Sequence, residues 1–98
     1  MAYRLAPQAE ADLEDIAFYV SLESGSLEVA ERVIQSIAER FELLDAYPHA
    51  GRARDDLRPG IRAFPVGDYV VLHRVEGDDV LIVRVVRGSR DLEALVHD

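Results

Sequence analysis

Ninety-eight residues, 49% hydrophobic and 31% charged, fit one globular domain over 1–98 and leave no room for a second core. The lack of cysteine excludes a disulfide framework, a thiolate nucleophile and a zinc–thiolate site; with only His49, His73 and His97 as scattered imidazoles, neither metal nor cofactor is expected. A net charge of −8 opposes direct electrostatic capture of nucleic acid, and neither a signal-peptide core nor an apolar run near the roughly 20 residues of a membrane span is visible, so a cytoplasmic, membrane-free location is expected.

A short strand over Tyr3–Ala6 is expected to end at Pro7, whose fixed φ and missing N–H suit the first turn of a helix. Ala9, Leu13, Ile16, Ala17 and Val20 recur at helical spacing, and Glu10, Asp12, Glu14 and Asp15 place negative charge near the helix N-terminus, so the first helix is predicted over Pro7–Leu22. Ser24-Gly25-Ser26 interrupts the stripe, with Ser26 as the N-cap of a second helix whose stripe is Ala30, Val33, Ile34, Ile37, Phe41 and Leu44. That helix is expected to reach about Tyr47, where Pro48 disfavours continuation. A basic connector over Gly51–Gly60 follows, and then the apolar period changes to two over Ile61–Val66, Tyr69–Val75 and Val80–Val86. Gly67-Asp68 and Gly77-Asp78 suit two-residue type II′ loops, so an antiparallel meander is predicted in which Arg62 opposes His73, His73 opposes Ile82 and Arg84 opposes Val71. Leu92, Leu95 and Val96 suggest a short terminal helix. The fold class is α+β: an N-terminal strand, a helical hairpin packed on an antiparallel sheet with a three-strand C-terminal meander, and a short last helix.

No glycine-rich phosphate loop, HExxH or paired-carboxylate signature occurs. The positive charge is concentrated late: residues 1–50 hold three arginines against ten acids, residues 51–98 eight against nine. Arg52, Arg54, Arg58 and Arg62 fall within eleven positions and could grip phosphates or an acidic protein surface, or form a solvated connector paired with Asp55 and Asp56. Arg62, His73 and Arg84, placed on one sheet face, could supply part of the acid–base and phosphorane-stabilising set of a ribonuclease; alternatively the arginines pack their stems on the sheet with their heads in water. Ser89 has no general base at a recognisable spacing and reads as a turn or cap residue. Phe18, Tyr19, Leu22 and Leu27 lie partly off the helical stripes, where a partner could cover them.

The run Leu5-Ala6-Pro7-Gln8-Ala9-Glu10-Ala11-Asp12-Leu13-Glu14-Asp15-Ile16-Ala17-Phe18-Tyr19 resembles the opening of ParE toxins, of the ParE/RelE superfamily of toxin–antitoxin systems. Four further segments agree in order: Tyr47-Pro48 with Gly51-Arg52, then Leu57-Arg58-Pro59-Gly60-Ile61-Arg62, Tyr69-Val70-Val71-Leu72-His73-Arg74, and Ile82-Val83-Arg84-Val85 leading to Arg90-Asp91. The resemblance implies a plasmid-stabilization-type toxin that inhibits DNA gyrase by direct binding, without catalysis, and is neutralised by a cognate ParD-like antitoxin in a hetero-oligomer. RelE-like members cleave messenger RNA on the ribosome, and that alternative would use Arg62, His73 and Arg84; a degenerate binding scaffold is the third reading. The tail Gly88-Ser89-Arg90-Asp91-Leu92 lacks the tyrosine or histidine of the nuclease branch and favours the ParE side. The target surface is then expected to comprise Arg52, Arg54, Arg58, Arg62, Arg84, Arg87 and Arg90, and the antitoxin surface Phe18, Tyr19 and Leu22.

Overall fold

Both apolar stripes fold as helices in the computed structural model, which describes residues 2–88 and Leu92. Helix α1 (Pro7–Ser24) starts from extended Ala6 with Pro7 in its first turn and stops at Gly25, whose φ of 69° provides the left-handed cap and whose N–H donates to Ser21 O. Helix α2 (Leu27–Ala46) is capped as expected by Ser26, whose Oγ accepts the Val29 N–H at 3.2 Å. Its end at Ala46 precedes Pro48 by two residues.

Around this hairpin run β1 (Tyr3–Leu5), β2 (Arg52–Ala53), β3 (Arg62–Val66), β4 (Tyr69–Glu76) and β5 (Asp79–Arg87), in the sheet order β1-β5-β4-β3-β2. The meander β3–β4–β5 is antiparallel, and Gly67 and Gly77 carry the positive φ that the first position of each tight loop needs. The sheet as a whole is mixed rather than antiparallel, because β1 pairs parallel to β5 through Tyr3↔Val80 and Leu5↔Ile82. The short strand β2, unexpected within the connector, pairs with β3 through Arg52↔Ala63.

Register follows expectation at both turns and at Arg62↔His73 and His73↔Ile82, but Arg84 stands opposite Leu72, not Val71. A β-bulge between the Leu72 and His73 pairings inserts Val83 as an extra residue of β5. The pleat is thereby reset, and Val85 joins Val71, Ile82 and Val66 beneath Ile16, Ile37 and Phe41 in the main core. On the opposite face, Leu57 and Ile61 from the connector close over Leu72, with Ala63, Val70, Val83 and Leu92 around them. The connector is therefore an anchored loop rather than a solvated one, held by Arg54 N–H to Ile61 O and by Gly60 N–H to the Asp55 carboxylate. The proposed terminal helix lies outside the described residues apart from Leu92.

Candidate functional site

Arg62 leaves β3 toward the loop that follows α2, and its Nη1 donates to Gly51 O at 2.8 Å and His49 O at 3.3 Å. Beside it His73 is fully buried, and neither ring nitrogen finds a hydrogen-bond partner among the described residues. Burial first, then the charges of Arg62 and His49, push its pKa down to about 4, so at neutral pH it is an uncharged imidazole. Buried Gly51 sits directly over it: a Cβ there would collide with His73 Nε2. Only a glycine lets the loop descend this far, and the loop in turn seals the histidine from solvent.

Arg84 was expected to extend beside these two. Instead its guanidinium donates to Asp12 of α1, Nε to Oδ2 at 2.8 Å and Nη2 to Oδ1 at 2.9 Å, with both side chains largely buried. The Val85 N–H donates to the same Asp12 Oδ2 at 2.9 Å. The carboxylate thus satisfies a backbone donor next to the bulge and an arginine fork together. Arg84 lacks the solvated head that one reading of the sequence suggests, and half-buried Arg62 has one guanidinium nitrogen tied to the loop.

The other arginines divide by partner. Arg54 makes a two-point contact with Asp56, whose carboxyl it holds below the usual range. Arg74 and Arg4 converge on Glu76, which ties β1 to the β4–β5 turn. Exposed Arg52, Arg58 and Arg87 make no ion pair among the described residues. Arg87 is nonetheless seated, its guanidinium carbon 5.3 Å from the centroid of the Tyr19 ring. Arg90 and Ser89 lie outside the described residues.

On the outer side of the hairpin, Phe18, Leu22 and Leu27 are 67%, 66% and 73% exposed. Between the helices a groove of about 560 Å³ is lined by Ala17, Phe18, Leu27, Ala30, Ile34 and Ala38, with Glu31 and Gln35 along one side. Tyr19 points away from this groove, into a crevice of about 220 Å³ with Asp15, Ile16, Tyr69 and Arg87. The three apolar residues expected on one antitoxin surface are therefore split between two sides of α1.

Residues 3–92 match the family described as the ParE toxin of the type II toxin–antitoxin system parDE. The chain belongs to the ParE toxin family. It is 40% identical over 80 residues to Toxin ParE3 of Caulobacter vibrioides, covering 82% of this chain and 80% of that one. It is 30% identical over 92 residues to Toxin ParE1 of Mycobacterium tuberculosis, covering 93% of each. Among solved structures, a chain of the chromosomal ParDE toxin–antitoxin system from P. aeruginosa superposes with a TM-score of 0.78 at 27% identity, over 89% of this chain and 95% of that one.

For this ParE-family chain, the residues that sequence reasoning missed are those whose role depends on long-range contact. Asp12 reads as one more acid near a helix N-terminus, yet it meets Arg84 seventy-two positions away. Gly51 reads as a loop glycine, and only the position of His73 shows why no side chain fits. Ala17, Ile34 and Ala38 read as core-stripe or filler residues and turn out to floor the groove. No helix among the described residues is long and apolar enough to cross a membrane.

Proposed function

We propose that this ParE-family chain acts in the cytoplasm by binding DNA gyrase directly, without chemistry of its own, and is neutralised by a cognate ParD-like antitoxin in a hetero-oligomer. The observation that carries the reading is the use to which Arg62, His73 and Arg84 are put. A ribosome-dependent nuclease needs a base, an acid and cations that reach the RNA phosphate together. Here His73 is sealed beneath Gly51, half-buried Arg62 directs one guanidinium nitrogen to two backbone carbonyls, and Arg84 is held by a carboxylate on another element. The cations left facing solvent, Arg52, Arg58 and Arg87, suit an acidic protein surface.

An antitoxin partner is supported by the apolar groove and by the likeness to a chain of a solved ParDE toxin–antitoxin system. A disordered antitoxin segment that folds as an amphipathic helix would cover Phe18, Leu22 and Leu27. Purified protein should inhibit gyrase supercoiling and leave ribosome-bound message intact when the two assays are run side by side. Codon-specific cleavage with no effect on gyrase would replace this reading with the RelE-like one, and inactivity in both would leave the scaffold.

A further inference from the structure

Tyr19 and Arg87 are expected from sequence to serve different partners, the tyrosine an antitoxin and the arginine a target. The fold makes them neighbours: α1 carries the ring to the end of β5, where it lies 5.3 Å beneath the guanidinium. An arginine at a strand end, exposed and without an ion pair among the described residues, would otherwise sample many rotamers. Holding the guanidinium over the phenol ring, with the Tyr19 hydroxyl also acting on it, restricts its direction while its remaining N–H groups can meet a carboxylate.

We propose that Tyr19 is a positioning residue for the toxic surface, holding Arg87 so that its free edge receives an acidic side chain of the target protein. The inference rests on the direct-binding reading above and adds α1 to a surface otherwise drawn from the arginine-rich half. The crevice beside the pair, between Tyr19, Tyr69 and Ile16, has room for one side chain to approach the guanidinium. The other charged groups around Arg87 are Asp15 on the crevice wall and Asp68 at the β3–β4 turn, and neither forms an ion pair with it. Their field keeps the site from attracting every anion, so geometry must select the ligand. An antitoxin segment that covered Tyr19 would remove Arg87 from service by the same contact.

The test is a double-mutant cycle in purified full-length protein, scored by the concentration that half-inhibits gyrase supercoiling and by growth arrest over a titration of inducer. Tyr19→Leu should raise the half-inhibitory concentration about two- to fivefold, the range of an exposed cation–π contact, and Tyr19→Phe, which keeps the ring but removes the hydroxyl that also acts on Arg87, should raise it less. In an Arg87→Ala background, Tyr19→Leu should have no further effect. Additive losses, or an undiminished Tyr19→Leu protein, would overturn the proposal; thermal melting of each variant separates a positioning loss from an unfolded chain. If wild type arrests growth but does not inhibit gyrase, the gyrase target is wrong, while coupling between Tyr19 and Arg87 is still decided by growth arrest.

Discussion

His73 is the residue whose chemistry is most altered by the fold. Its pKa is about 4 in the folded chain against an ordinary 6.5, so between these values the unfolded chain binds the proton and the folded chain does not. Stability is therefore greatest above pH 6.5 and is lost as the pH falls toward 4, by roughly 2–3 kcal/mol at pH 4.5 from this group alone. His73→Leu should abolish that share: urea unfolding at pH 7 and pH 4.5 should show the variant losing roughly 2–3 kcal/mol less than wild type over the interval. It should cost little at pH 7, since two unpartnered ring nitrogens leave the core together with the imidazole. An equal acid sensitivity in both proteins would show that the imidazole is not sealed. Gly51→Ala tests the same contact from above, and a methyl group driven into the ring should cost about 1–3 kcal/mol at neutral pH.

Among the elements, β5 departs furthest from its expected pairing. It runs nine residues against the eight of β4, and the surplus is accommodated at Val83. Asp12 closes the irregularity by accepting the Val85 N–H and the Arg84 fork, which links the first helix to the last strand. Asp12→Ala should destabilise the chain by roughly 2–4 kcal/mol in chemical denaturation, because it leaves a largely buried guanidinium and a backbone donor without this acceptor. Asp12→Asn should lose less, as one acceptor oxygen remains. The two helices were legible because their stripes run for five turns and their ends carry Pro7, Gly25 and Ser26. Both meander turns were legible because a glycine leads each loop. The bulge was not, because period-two alternation looks the same on either side of an inserted residue until the partner strand is seen. A strand of three residues, such as β1, is too short to display a period, so its parallel pairing had no local signature. The expected ribonuclease face failed for the same reason as the register: it required Arg84 on the side from which Val83 displaces it. Phe18, Tyr19 and Leu22 were legible as residues off the core stripe, but not the division that sends Tyr19 to the far side of α1.

Taken as one object, the molecule is electrically divided. Helices α1 and α2 hold ten of the nineteen acidic residues and two of the eleven arginines, which accounts for the whole net charge of −8 and leaves the remainder of the chain neutral. The apolar groove opens on the acidic part, so its occupant must bring both an apolar helical face and positive charge. A ParD-like segment of that kind should bind more weakly as salt rises and should show a large negative heat-capacity change as it orders. Phe18 decides whether the groove is the anchor. It is 67% exposed in the free chain and contributes little to folding, so Phe18→Asp should leave thermal stability within about 0.5 kcal/mol. In the complex the same ring would be buried, a gain of roughly 1.5–3 kcal/mol, and its replacement should weaken antitoxin affinity at least tenfold by calorimetry. The added carboxylate deepens the acidic field, so part of the loss could be electrostatic rather than apolar; Phe18→Ser removes the ring without the charge and should retain most of the defect. Full affinity in Phe18→Ser would move the antitoxin off the hairpin, toward the sheet edges at β1 or β2.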